Sequence, residues 1–322
     1  MGKLKIKKNV KKLGFISIII LVFLSIGIYS GIKIYKQKQY EKTYEYKLLQ
    51  IGYELDDIKI ILEKYKNKEI EYILSTEINN NYLDLLNDKY FIYDNFYNYL
   101  DFQKNNTTLS TRNIIEIVNT NRNNDYYTNT IKSDISKKEL MLVNKYYYLD
   151  ESYEPENLVT ISQNYSWGEK GSQKATEETY EAFLDMWEEA NNNGYYFMVS
   201  SSYRTYKKQD LVYKDYEDSF GTEYADSIAA RPGFSEHQTG YTLDIFEKNN
   251  SSQKTFHDSE AYNWLKNNAH KFGFILRYPE DKEDITGYDF ESWHYRYVGI
   301  NVATYIYNNQ ITFDEYYAYF IK

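Results

Sequence analysis

Three short islands in the second half of this chain carry residue types that do chemistry. The first is Ser201-Ser202-Tyr203-Arg204-Thr205, with Gln209 just beyond. It follows Tyr195–Ser201, a run dense in aromatic and β-branched residues that reads as a buried strand. An arginine at the end of such a strand can clamp a carboxylate through two parallel bonds or steady a developing oxyanion. A structural ion pair uses the same side chain equally well, so Arg204 alone decides nothing.

The second island is Arg231-Pro232-Gly233-Phe234-Ser235-Glu236-His237-Gln238-Thr239-Gly240, which runs on into Tyr241-Thr242-Leu243-Asp244-Ile245. Two glycines and a proline predict a shaped loop ahead of a strand. Asp244 is the odd residue there. A carboxylate between Leu243 and Ile245 in a buried strand requires a cation, a set of donors or a retained proton. A metal ion is one such cation. His237 by itself reads as an ordinary core or surface histidine; with Asp244 seven positions on, the ligand and structural readings both stay open.

The third island is Glu291-Ser292-Trp293-His294-Tyr295-Arg296-Tyr297-Val298-Gly299, and two of the chain's four histidines fall in these islands. Two histidines and one carboxylate are a known ligand set for catalytic zinc, with a fourth position left open. Glu291 would then act as base on a water. Glu291 and His294 are three apart, which on a regular strand points them to opposite faces. This reading therefore requires a bend between them. His257 and His270 read as a loop residue and a helix C-terminal residue.

The elements that must hold these islands follow from periodicity. Tyr180, Phe183, Leu184, Trp187 and Ala190 line one face of a helix expected over about 175–192, with Gly194 as its stop. Asp258 is the expected N-cap of a helix bearing Tyr262, Leu265 and Ala269, closed by Gly273. Leu140–Val143, Leu158–Ile161, Phe274–Arg277 and Trp293–Val298 read as strands. Helices and strands mix without a regular βαβ repeat, which predicts an α+β fold, an antiparallel sheet flanked by helices. Upstream, Leu55, Ile58, Ile61, Leu62 and Tyr65 fall at helical spacing, as do Ile70, Ile73 and Leu74, and Leu83, Leu86 and Tyr90. Residues 33–135 therefore read as a small helical stalk, with residues 105–129 polar and loop-like.

One segment sets the expected topology. Leu13 to Ile32 is uncharged and, as a helix, about 30 Å long, which matches a bilayer's hydrocarbon core. Lys3, Lys5, Lys7, Lys8, Lys11 and Lys12 precede it, the mark of a cytoplasmic N-terminus. No small-residue cleavage site follows, so the segment reads as an uncleaved anchor. The chain's net charge is −9, and without those six lysines the remainder carries −15. Such a surface does not suit nucleic acid. With no cysteine, any metal must take histidine and carboxylate ligands. The 39 tyrosines read as a compositional bias rather than an aromatic binding surface.

Taken together, the islands resemble the VanY-type D-alanyl-D-alanine carboxypeptidases, a family of zinc peptidases. The family pattern S-x-Y-R, S-x-H-x-x-G-x-x-x-D and E-x-W-H is similar to Ser201-Ser202-Tyr203-Arg204, Ser235 through Asp244, and Glu291 through His294 here, in the same order. The resemblance covers Ile135 to the C-terminus and implies a hedgehog-like zinc peptidase domain over residues 136–322. It further implies one zinc ion held by His237, Asp244 and His294, with Glu291 as catalytic base. By the same resemblance Arg204 stabilises the oxyanion or holds substrate, Ser235 and Gln209 contact the terminal carboxylate, and Tyr203 and Trp293 shape the pocket wall. Tyr241, Thr242, Thr205 and Ser292 depart from the common pattern and bear on subsites, not on the metal. The implied partners are peptidoglycan stem peptides, cut outside the cell at the C-terminal D-alanine, and the bilayer, through residues 13–32. Relatives act instead as L,D-carboxypeptidases on tetrapeptides or as dipeptidases. Rival readings are a zinc-stabilised wall-binding module without turnover and a lysin-type endopeptidase.

Overall fold

The computed structural model describes residues 2–76 and 81–322; Met1 and residues 77–80, within the expected stalk, lie outside it. The chain forms two compact units, Met1–Phe91 and Ile92–Lys322. The first begins with α1 (Gly2–Tyr40). Its stretch from Gly14 is apolar, with a mean hydropathy of 2.5 at its most apolar, and none of that stretch is buried. It is the one helix among the described residues long and apolar enough to cross a membrane. Helices Tyr44–Ile51, Leu55–Lys64, Asn67–Leu74 and Asn81–Asn87 follow. Leu48, Ile58, Ile61, Ile70 and Ile73 are buried in this unit, whereas Leu55 and Leu62 of the expected apolar face are exposed.

Residues 92–135, read as the end of the stalk, cluster with the second unit. The stretch expected to be loop holds a helix, Thr111–Asn119, capped by the Ser110 side chain and burying Ile114, Ile115 and Val118. Its short apolar stripe is diluted by the surrounding asparagines, which is why the sequence reads as loop there.

The framework of the site is a four-stranded sheet. Its strands are β1 (Phe197–Ser201), β2 (Thr242–Glu247), β3 (Phe274–Leu276) and β4 (His294–Tyr297). They run in the order β1-β2-β4-β3, and every pairing is antiparallel, as the sequence predicts. Helices α2 (Glu177–Asn192) and α3 (Glu260–Asn268) supply Phe183, Met186, Tyr262 and Leu265 to the same core as Phe197, Val199, Leu243, Ile245, Phe274 and Tyr295. Burying each large apolar side chain stabilises the fold by roughly 1.5–3 kcal/mol.

Some boundaries differ from the sequence reading. Ser259, not Asp258, caps α3, accepting from the Tyr262 N–H, while Asp258 lies in a preceding 3-10 turn. Serine and aspartate are about equally good caps, so spacing alone could not choose between neighbours. Residues 141–143 are buried but take no strand partner.

Alternation along β2 and β4 explains why a core sheet carries charge. Leu243, Ile245 and Tyr295 face the apolar core, so Asp244, His294 and Arg296 must point the other way. Register completes the arrangement: Asp244 pairs directly with His294, and Thr242 with Arg296.

Candidate metal centre and active site

Asp244 and His294, opposite each other on adjacent strands, supply two walls of the site. The third comes from the shaped loop, where Glu236–Thr239 forms a 3-10 turn. Ser235 caps it by accepting from the His237 N–H, and Gly240 ends it at φ 74°. A Cβ on Gly240 would lie 3.1 Å from Leu158, Pro155 and Thr176 side chains, so both the left-handed backbone and the close packing call for glycine. The turn aims His237 at the sheet. One ligand atom from each of His237, Asp244 and His294 lies within 4.8 Å of the others. His237 Nε2 is 3.4 Å from Asp244 Oδ2, and His294 Nδ1 is 3.5 Å from Asp244 Oδ1.

Glu291 stands beside this trio, its Oε2 3.1 Å from His294 Nδ1. The bend required by their spacing is present. Residues 291–293 form a turn ahead of β4, in which the His294 N–H donates to the Glu291 carbonyl over 3.4 Å.

The two histidines present different nitrogens. His237 Nδ1 lies 2.7 Å from the Ser202 carbonyl, an acceptor only, so Nδ1 carries the hydrogen and Nε2 is the free lone pair. Burial and the Arg204 cation push His237 down to about 4, leaving a neutral imidazole fit for a metal. For Asp244, burial favours the acid, but His237, His294 and Arg204 outweigh it and hold the carboxyl down at about 2. Burial raises the Glu291 carboxyl above its usual range, against the pull of His294. A base with a raised pKa is better matched to taking up a proton near neutrality.

Asp244 Oδ1 is buried without a hydrogen-bond partner. A buried anionic oxygen facing two imidazoles, with no thiolate available, is the donor set for zinc or a similar divalent ion. These residues fit such an ion.

A cavity of about 160 Å³ opens on the trio and on Glu291, and is lined also by Ser201, Arg204, Gln209, Ser235, Tyr278 and Trp293. The Arg204 backbone N–H donates to the His237 carbonyl (3.1 Å), tying the first island to the second. Its guanidinium Nε is buried without a partner. Gln209 donates to the Ala230 carbonyl (2.7 Å) while its Oε1 is buried and unmatched. Trp293 lines the cavity and stacks on Phe246 at 5.9 Å. Tyr203, expected in the pocket wall, is not among the lining residues; its phenol is raised to about 12 by burial and by Glu154. The structure thus brings Arg204, Gln209, Ser235, His237, Asp244, Glu291, Trp293 and His294 to one cavity, without Tyr203.

Behind the site lies an ion network that the sequence reading missed. Arg277 Nε donates to Glu236 Oε1 (2.8 Å), Arg296 faces the same oxygen at 3.0 Å, and Arg277 also donates to Asp314 (2.7 Å). Both arginines are fully buried. A signal existed: Arg296 is two residues after His294 and so shares its face, the same oddity that singled out Asp244.

A largely buried His-Asp-His cluster with a glutamate at its side, on an antiparallel sheet, is an arrangement that suits metal-assisted hydrolysis. A family model described as VanY, D-alanyl-D-alanine carboxypeptidase, matches residues 172–300. YodJ of Bacillus subtilis is 39% identical over 181 residues, covering 55% of this chain and 66% of that protein. A D-alanyl-D-alanine carboxypeptidase of Enterococcus faecalis is 40% identical over 141 residues, 41% of this chain and 51% of that one. The chain thus spans just under two thirds of the first and about half of the second. A solved structure of the LdcB LD-carboxypeptidase matches with a TM-score of 0.56 and 36% identity, covering 61% of this chain and 94% of that one. The chain belongs to the VanY D-alanyl-D-alanine carboxypeptidase family.

Proposed function

We propose that this chain is a zinc-dependent D,D-carboxypeptidase that removes the C-terminal D-alanine of peptidoglycan stem peptides outside the cell. In this reading residues 1–12 are a cytoplasmic tail, 13–32 the anchor, 33–135 a spacer whose last part, 92–135, belongs to one compact unit with the catalytic domain, and 136–322 that domain. One observation carries it: His237, Asp244 and His294 converge at a cavity that also holds Glu291 and Arg204, whose Nε is buried without a hydrogen-bond partner. At about 160 Å³, that cavity is smaller than the roughly 300–1,000 Å³ of ordinary ligand pockets, which suits the end of a chain rather than its middle.

His237, through Nε2, His294, through Nδ1, and the Asp244 carboxylate would hold the ion. When bound, it supplies Lewis-acid polarisation of the scissile carbonyl and acidifies a water. The Glu291 carboxylate accepts the attacking water's proton and returns it to the departing D-alanine amine. Arg204 donates to the oxygen on which charge develops. The Ser235 hydroxyl can donate to the substrate's terminal carboxylate, whereas Gln209 Oε1, an acceptor, can take only an N–H of the substrate.

A second reading, an L,D-carboxypeptidase acting on tetrapeptide stems, is favoured by the likeness to the LdcB LD-carboxypeptidase. Incubating the detergent-solubilised full chain with zinc and separate tetra- and pentapeptide stems, then weighing the products, tests both. Loss of one alanine from the pentapeptide alone supports the D,D reading, and loss from the tetrapeptide the L,D one. No loss from either rejects the carboxypeptidase reading. Glu291→Gln is expected to lower turnover by about 10²–10⁴-fold while zinc still binds; wild-type turnover in this variant would remove Glu291 from its role as base.

A further inference from the structure

The turn that carries His237 also carries Glu236, whose side chain goes a different way. Glu236 is 1% exposed, and its two oxygens have separate tasks. Oε1 takes the Arg277 Nε hydrogen at 2.8 Å and faces Arg296 at 3.0 Å. Oε2 has no hydrogen-bond partner and lies 3.6 Å from His294 Nε2, which is itself buried without a partner. A buried acceptor and a buried ring nitrogen thus face each other, and about half an ångström of approach brings them to ordinary N–H···O length.

The other nitrogen of the same ring, Nδ1, faces Asp244 and Glu291 at 3.5 and 3.1 Å. A neutral imidazole carries one hydrogen, and the nitrogen that bears it cannot be a ligand. We propose that Glu236 is a positioning residue for the metal site: its carboxylate accepts the Nε2 hydrogen of His294 and so commits Nδ1 to the ion. This rests on the metal reading given above.

A purely structural role, as counter-charge for the two arginines, uses Oε1 and leaves the aim of Oε2 unexplained. Those arginines in turn hold the carboxylate still. Arg277 is fixed by Asp314 through bonds of 2.7 and 3.3 Å, and Arg296 donates to the Glu139 and Met141 carbonyls. His237 is aimed by the Ser202 carbonyl at 2.7 Å, so each ligand histidine has its own acceptor behind it.

Glu236→Gln separates the two roles without changing volume. The amide oxygen must turn to the arginines, which are donors only, and the amide nitrogen then faces His294 Nε2. That forces the ring hydrogen onto Nδ1. The full chain in detergent, with zinc competed against a chelator, is expected to show zinc affinity about 10–100-fold weaker in the variant. With four histidines in the chain, histidine-selective ¹⁵N labelling makes the ring nitrogens readable. Zinc-loaded wild-type protein is expected to show the His294 hydrogen on Nε2, and Glu236→Gln protein without zinc to show it on Nδ1. Unchanged zinc affinity, or a zinc-loaded wild-type His294 with its hydrogen on Nδ1, overturns the proposal. If the variant does not fold, the wild-type spectrum decides. Wild-type protein that takes up no zinc defeats the metal reading itself, an outcome distinct from uptake that ignores Glu236.

Discussion

His294 stands among three carboxylates, and that crowding has a consequence for pH. Burial works against its charged form, but Glu236, Glu291 and Asp244 outweigh burial and push it up to about 9. A ligand imidazole must be neutral, so metal uptake below that value expels one proton. His237, down at about 4, is already neutral and adds no slope. Zinc affinity is therefore expected to rise about tenfold per pH unit between about pH 6 and pH 8, and chelator-competition titrations check it; a flat profile contradicts it. The residues that converge on the candidate metal centre were legible in the sequence. Asp244 betrayed itself as a carboxylate inside an apolar strand, and His294 by its company. Glu236, Arg277 and Asp314 were not legible, because they meet only through tertiary packing and lie far apart along the chain. Tyr203 sits in the expected motif, yet its direction depends on the strand-to-helix corner, which spacing does not describe.

At the scale of elements, the site is a matter of register. Asp244 pairs with His294 across β2 and β4, and the β1–β2 ladder shifts between Val199 and Ser201. A one-residue slip would turn Asp244 into the core, so whatever pins the register also protects the site. Gly240 stands just ahead of β2 and bonds back through its carbonyl to the Thr176 N–H (3.0 Å). Gly240→Ala combines a left-handed backbone with three 3.1 Å contacts, and is expected to destabilise the protein by roughly 1–3 kcal/mol, read as a lower unfolding midpoint. The C-terminal helix Phe313–Phe320 matters for a different reason. Its Asp314 is the partner of fully buried Arg277 and also receives the Asn144 amide at 2.7 Å. Asp314→Ala leaves a buried cation short of its counter-charge, with an expected loss of about 3–5 kcal/mol. Denaturant unfolding checks it, and a loss under about 1 kcal/mol would mean water reaches Arg277. The strands around the site followed from periodicity to within a residue or two. The helix Thr111–Asn119 did not, since its burial comes from neighbours that a short window cannot see.

On the scale of the whole chain, charge and hydropathy divide the labour. α1 presents Phe15, Leu21 and Phe23 at 65–70% exposure, a surface that water disfavours at about 25 cal/mol per Å² and that a bilayer accepts. The lysines ahead of it favour a cytoplasmic N-terminus. The residues of the candidate site, by contrast, all belong to the unit Ile92–Lys322, so chemistry on a soluble peptide has no need of α1. Two outcomes are therefore expected together. The full chain should stay with membranes through high salt and leave them only in detergent, and protease added to intact cells should digest the C-terminal part while an N-terminal tag survives. On the proposed reading, a chain lacking residues 2–40 should be soluble without detergent and cleave soluble stem peptides at the wild-type rate, yet lose hydrolysis in intact cells for want of the anchor that would hold it beside the polymer. Full-length protein that salt alone releases would show that α1 lies on the surface instead of spanning. A truncated form that folds but turns over slowly would show that α1 contributes to catalysis, and the division between anchor and chemistry would have to be redrawn.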